Sequence, residues 1–85
     1  MDKSIHTDQY HAFTHYLRQC RLEANVSQVE LAERLNTTQA FISKCERGER
    51  RLDIIETKTW VEALGIPFAR FIQGFEDSLR ATIGA

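Results

Sequence analysis

The chain has 85 residues, with 11 lysine or arginine and 12 aspartate or glutamate side chains, which gives a formal net charge of -1. A chain this short can bury only one modest core, so we expect one domain over residues 1–85. Its hydrophobic fraction of 42% is ordinary for a folded protein, and no apolar run approaches the ~20 residues of a membrane-spanning helix. The polar start MDKSIHTDQYH is unlike a signal peptide, so we expect a cytoplasmic protein with no membrane partner.

The first predicted helix has Asp8 as its N-cap and runs to about Ala24. Its apolar residues recur at helical spacing and predict a face turned to the core. That face consists of Phe13, Leu17 and Cys20, with Arg18 and Arg21 at its edge.

Residues 27–48 predict two short helices joined by a tight turn. Ser27 and Glu30 have the spacing of a capping box at the start of the first helix. This helix ends near Leu35, after which Asn36 can adopt the left-handed backbone that a sharp exit requires. The inward residues of the first short helix are Leu31, Ala32 and Leu35.

The second short helix begins after Thr38, a favourable N-cap, and ends at Gly48. Ile42 and Cys45 form its inward stripe, and the small Ala32 allows the two helices to cross closely. A pair of helices of this size can place the second one in the major groove of DNA.

The outward face of the second short helix consists of Gln39, Ala40, Ser43 and Lys44. Glutamine and lysine read base edges, and an exposed alanine can touch a thymine methyl group. Any short helix must also show polar residues to water, so the pattern alone leaves a purely structural role open. The absence of acidic residues on this face before Glu46 favours DNA binding.

The near-neutral net charge argues against DNA binding, because phosphate contacts require a basic surface. The charge is unevenly distributed, however. Residues 36–51 include four basic and two acidic side chains, whereas residues 52–85 include three basic and five acidic ones. The basic excess therefore lies in the segment expected to meet DNA.

Two further helices are predicted after the basic loop. Asp53 and Glu56 form a capping box for a fourth helix that ends at Leu64 and Gly65. Pro67 begins the fifth helix. We expect a folded core over residues 8–72 and a frayed tail, ATIGA, at residues 81–85. The fifth helix has an apolar stripe of Phe68, Phe71, Ile72, Phe75 and Leu79.

Part of that stripe exceeds what the core needs. Phe75 and Leu79, together with Trp60, are candidates for a two-fold dimer interface, with residues 66–80 as the dimerisation helix.

Neither catalysis nor a cofactor or metal is indicated. Cys20 and Cys45 lie on apolar helix faces, where a thiol behaves as a small hydrophobe. His11 and His15 share one helix face, but neither they nor His6 stand in an HExxH pattern. We expect a solvated helix face, with adventitious metal binding as the alternative. No catalytic acid, base or nucleophile is recognisable, so we do not expect an enzyme.

Four segments together resemble the lambda-repressor-like family of Cro/Xre-type helix-turn-helix regulators. The segments are LRQCR (17–21), VSQVELAERLN (26–36), TTQAFISKCERGERRLD (37–53) and ALGI (63–66). The resemblance covers roughly residues 13–72 and implies an all-α bundle of about five helices, in which the second and third read DNA. Two departures, Cys45 for a larger apolar residue and Asn36 for a turn glycine, are physically conservative.

The resemblance also implies residue roles. Base contacts fall to Gln39, Ala40, Ser43 and Lys44, and backbone contacts to Gln28, Thr38, Arg21, Arg47, Arg50 and Arg51. Arg21 is further expected to form an internal salt bridge with Glu46 while lying near the DNA backbone.

We therefore expect a sequence-specific transcriptional regulator that binds double-stranded DNA as a homodimer, in the manner of a repressor on a pseudo-palindromic operator. The alternative is a module that binds a partner protein, such as an antitoxin, with DNA binding as autoregulation.

Overall fold

Five α-helices make up the described part of this computed structural model, which covers residues 3–82, with side chains over residues 8–81. They are α1 (Lys3–Glu23), α2 (Gln28–Arg34), α3 (Gln39–Glu46), α4 (Ile54–Ala63) and α5 (Phe68–Thr82). The all-α, five-helix expectation is therefore confirmed. No helix within the described residues is long and apolar enough to cross a membrane.

The ends of α1, α2, α3 and α4 share one stop signal. A residue with positive φ follows each helix, and these residues are Asn25, Asn36, Gly48 and Gly65. After α2, for example, the N–H of Thr37 donates to the carbonyl of Ala32 and that of Asn36 to Glu33. This pair of bonds satisfies carbonyls that the helix end leaves unpaired. The sequence predicted the stops at Asn36, Gly48 and Gly65, whereas the role of Asn25 was missed.

The structure changes details of three predicted helix starts, although Ser27 is the N-cap of α2 as predicted. Asp8 does not cap α1, because the helix begins at Lys3. At α2, Ser27 accepts from the N–H of Glu30, but the Glu30 carboxylate accepts from Arg34 instead of completing the capping box. Helix α5 begins one residue after Pro67. The caps at Thr38 and Asp53 are confirmed, the latter as a complete capping box.

The core lies where all five helices meet. Its fully buried side chains are Leu17, Leu31, Ile42, Cys45, Trp60, Val61 and Phe71. Ala32 is buried between α2 and α3, as expected for two closely crossing helices. Within the expected tail, Ala81 and Thr82 are helical, and residues 83–85 lie outside the described residues.

Trp60 does not lie where a dimer interface would need it. Trp60 is only 1% exposed, so it packs in the core and has no surface to offer a second copy. Its indole Nε1 finds no hydrogen-bond partner among the described residues, so Trp60 contributes by packing. Phe75 is half-buried, because its ring packs 5.8 Å from that of Phe13 and 6.0 Å from that of Tyr16. Phe13 and Tyr16 both belong to α1, so this helix supplies the aromatic surface on which Phe75 packs.

Candidate nucleic-acid interface

Helices α2 and α3 present the polar surface expected from the sequence. Gln39, Ala40 and Lys44 are exposed on α3, and Ser43 is half-buried beside them. Thr38 is exposed at the start of α3, where its hydroxyl accepts from the N–H of Phe41. The core thus holds one face of α3 through Ile42 and Cys45 and leaves the opposite face open.

A buried ion pair joins α1 to α3. The Nε of Arg21 donates to Oε2 of Glu46 at 2.7 Å, and its Nη2 donates to Oε1 at 3.0 Å. The remaining terminal nitrogen, Nη1, donates to the carbonyl of Val26 at 2.9 Å. The expected salt bridge is thus present, and it fixes the end of α3 against α1. Because Arg21 is only 5% exposed, the structure favours a positioning role over the expected contact with the DNA backbone.

Two glutamines extend this ion pair to the surface. Nε2 of Gln28 donates to Oε1 of Glu46 at 3.0 Å, and Nε2 of Gln39 donates to Oε1 of Gln28 at 3.3 Å. The result is a continuous chain of hydrogen bonds from the buried Arg21 to the exposed Gln39. It holds the first outward side chain of α3 in one orientation, because each amide is bonded to the group behind it.

The expected backbone-binding cations differ in their surroundings. Arg47 pairs with Glu49 at 2.8 Å and also donates to the hydroxyl of Ser43. Arg50 pairs with Glu56 at 2.9 Å and lies over the ring of Phe41. Hydrogen bonds from these arginines lower the pKa of both Glu49 and Glu56, so both carboxylates are ionised at neutral pH.

Lys44 and Arg51 form no ion pair within the described residues. The guanidinium carbon of Arg51 lies 4.3 Å from the centre of the Tyr10 ring, which holds the loop before α4 against α1. An exposed cation without a carboxylate partner can bind a phosphate without first breaking an ion pair. Lys44 and Arg51 are therefore more available for a phosphate than Arg47 and Arg50 are.

Sequence reasoning missed two features next to this surface. Arg18 and His15 project from α1 into a cleft that Gln28 and Arg47 also line. Val29, beside Gln28 on α2, is an exposed apolar residue. The spacing of Arg18 three residues before Arg21 was a usable signal, since it places both on one side of α1.

Cys20 and Cys45 are both buried free thiols. Burial raises the pKa of the Cys20 thiol and raises that of Cys45 to about 11, so both remain neutral thiols at physiological pH. No group of three possible metal ligands occurs in the described part of the chain. His11 and His15 are exposed on α1, and the side chain of His6 lies outside the described residues.

A family model described as helix-turn-helix matches residues 17–71, more than half of the chain. The match begins in α1, includes all of α2, α3 and α4, and ends in the first turn of α5. The comparison with curated proteins found no match.

Proposed function

The chain belongs to the Cro/C1-type helix-turn-helix family of DNA-binding transcriptional regulators, and on this premise we propose that it is a dimeric repressor of a pseudo-palindromic operator. The observation that carries the proposal is the hydrogen-bond chain that ends at Gln39. Preorganised polar side chains on an exposed helix suit sequence reading, because little side-chain entropy remains to be lost on binding.

The chemistry of the outward face suggests which base edges it reads. Gln39 donates one N–H to Gln28, which leaves its carbonyl oxygen and second N–H for a base. That acceptor and donor complement N6 and N7 of adenine in the major groove. Lys44 suits O6 and N7 of guanine, and the Ala40 methyl group suits a thymine methyl. Ser43 is half-buried, and its hydroxyl already accepts a hydrogen bond from Arg47.

The backbone contacts fall to the residues around this face. Gln28, Thr38, Arg47, Arg50 and Arg51 would hold phosphates on either side of the recognition helix, and these contacts orient the protein without reading sequence. Arg47 and Arg50 would exchange their carboxylate partners for phosphate. Arg21 acts through Glu46, by holding α3 in place.

A dimer would use the apolar groove between the start of α4 and α5. Ile54, Phe68, Ile72 and Phe75 line a cavity of about 270 Å³ there, and both isoleucines are exposed. Leu79 continues the stripe of α5 as a half-buried residue. We assign this groove to a second copy of the chain, because an isologous contact closes after two subunits and places two recognition helices ~34 Å apart on DNA. A bound dimer would block a promoter that overlaps its operator.

Selection from random duplex DNA tests the proposal. We expect the wild-type protein to enrich a site with two inverted half-sites. Gln39→Ala and Lys44→Ala should each weaken binding by about 1–3 kcal/mol per half-site and relax specificity at one base pair per half-site.

Gln73→Ala and Lys58→Ala are matched controls, because they remove the same side-chain types from α5 and α4. If all four variants bind the selected site equally well, α3 is not the reading helix. Transcription in vitro from a promoter containing the site then tests repression, and activation would overturn that part of the proposal. Failure to enrich any sequence, together with co-purification of a neighbouring gene's product, would favour the partner-binding alternative.

A further inference from the structure

A polar cleft of about 410 Å³ lies where α1, α2 and α3 meet. Its walls are Thr14, His15 and Arg18 of α1, Gln28 of α2, and Ser43, Glu46 and Arg47 of α3. Every side chain that lines it is polar or charged, whereas the groove between α4 and α5 is mainly apolar. Apart from Glu46, which pairs with Arg21, the α2 and α3 walls consist of residues already assigned to DNA, but the α1 wall has no assigned role.

The charges around the cleft favour an anion. Arg18 is exposed and makes no ion pair with any described residue. Arg47 faces the same cleft and shares its charge with Glu49. The other carboxylate, that of Glu46, is already balanced by two hydrogen bonds from Arg21 and one from Gln28. An uncompensated positive charge therefore remains on the α1 wall.

We propose that this cleft binds a backbone phosphate of the operator, with Arg18 on one side and Arg47 on the other. The inference rests on the proposed function, since the phosphate belongs to the DNA whose bases α3 reads. It makes α1 a third DNA-contacting element beside α2 and α3. The exposed, unpaired Arg18 reaches the phosphate without breaking an existing ion pair, and its guanidinium suits a phosphate because it can form two parallel hydrogen bonds.

The decisive measurement is the salt dependence of binding for Arg18→Gln. Each phosphate neutralised on duplex DNA contributes about 0.9 to the slope of log affinity against log salt concentration. We expect Arg18→Gln to reduce that slope by about 0.9 per bound subunit, and so by about 1.8 for a dimer on the full operator, and to lower affinity by about two- to fivefold per half-site at physiological salt. The loss should be equal on the selected operator and on a scrambled duplex, because a phosphate carries no sequence information.

Two further variants make the test specific. Arg70→Gln removes an exposed arginine that lines a different cleft on α5, and it should leave the slope unchanged. Arg18→Lys keeps the charge and should retain the wild-type slope. A normal thermal melt for Arg18→Gln is expected because its side chain is exposed.

Replacing single phosphates of the operator by uncharged methylphosphonates locates the contact. At one position in each half-site, beside the bases read by α3, wild type should lose affinity and Arg18→Gln should lose nothing more. An unchanged salt slope for Arg18→Gln, or additive losses at every position, would overturn the inference while leaving operator binding intact. Absence of duplex binding by wild type would overturn the proposed function as well.

Discussion

The surface around α3 and the surface around α4 and α5 are built on different physical principles. At α3, three of the four outward side chains are polar, and hydrogen bonds through Gln28 connect Gln39 to a buried ion pair. At the groove between α4 and α5, aromatic rings pack against α1 and leave isoleucines exposed beside them. Directional hydrogen bonds therefore set the geometry of the first surface, and the packing of aromatic rings sets that of the second.

This difference predicts where single substitutions are most damaging. Removing one buried partner from a hydrogen-bonded set destabilises the protein, because a charge or polar group is then left buried and unpaired. Ring packing fails through volume changes, and exposed apolar residues contribute little to folding until a second surface covers them.

The largest effect should follow from breaking the buried ion pair. Glu46→Ala leaves the guanidinium of Arg21 without its carboxylate, and loss of one partner of a buried pair costs about 3–5 kcal/mol of unfolding free energy. Thermal and urea melts measure the loss. Glu49→Ala is the matched control, because Glu49 pairs with Arg47 at the exposed surface and its removal should have little effect on stability. Similar melting temperatures for the two variants would show that Arg21 and Glu46 are solvated.

A smaller effect should follow from adding one methyl group inside the ring packing. Glycine inside a helix is ordinarily unfavourable, so Gly→Ala stabilises most exposed helices by about 1 kcal/mol. At Gly74, however, a Cβ would overlap the hydroxyl of Tyr16 and lie 3.1 Å from its Cζ. Gly74→Ala should therefore destabilise the protein by about 1–3 kcal/mol, as overpacking does.

Removal of the Tyr16 hydroxyl provides the control for that prediction. In the double variant Tyr16→Phe with Gly74→Ala, the closest clash is gone, so part of the lost stability should return. A thermal melt in which Gly74→Ala alone is more stable than wild type would show that α5 does not lie as close to α1 as the structure places it.

The smallest effect on folding, with a clear effect on assembly, should come from the exposed isoleucines of α4. Ile54 and Ile55 are adjacent and are 66% and 67% exposed, but Ile54 lines the groove beside α5 and Ile55 lines the cavity beside Phe41. Ile54→Glu should yield folded monomers with weakened operator binding, whereas Ile55→Glu should remain a dimer. Both changes place an acidic residue in the first turn of α4, where the helix dipole tolerates it.

Sedimentation equilibrium, with a gel shift on full and half operators, separates these outcomes. Phe75→Glu would be less informative than these two variants, since Phe75 packs on Phe13 and Tyr16 and its loss would damage the fold as well. Dissociation by Ile55→Glu alone would move the interface to the cavity beside Phe41. A wild-type monomer at micromolar concentrations would overturn the dimer and favour a partner of another kind.

The sequence by itself determined the local structure of this protein. The caps at Thr38 and Asp53 and the stops at Asn36, Gly48 and Gly65 were readable because such signals depend on residues within about four positions of one another. The inward stripe of Ile42 and Cys45, and with it the outward face of α3, followed from helical periodicity. The pairing of Arg21 with Glu46 was predicted as well, but only through the family resemblance.

Only the tertiary structure decided which distant side chains meet. Trp60 is in the core and not on a dimer surface, Arg21 is buried, and Gly74 lies against Tyr16. The link from Glu46 through Gln28 to Gln39, and the cleft that adds Arg18 to the DNA-binding surface, likewise required three helices in place. Periodicity gives the direction in which a side chain leaves its own helix, but contacts between helices depend on how they cross, and no local pattern encodes that crossing.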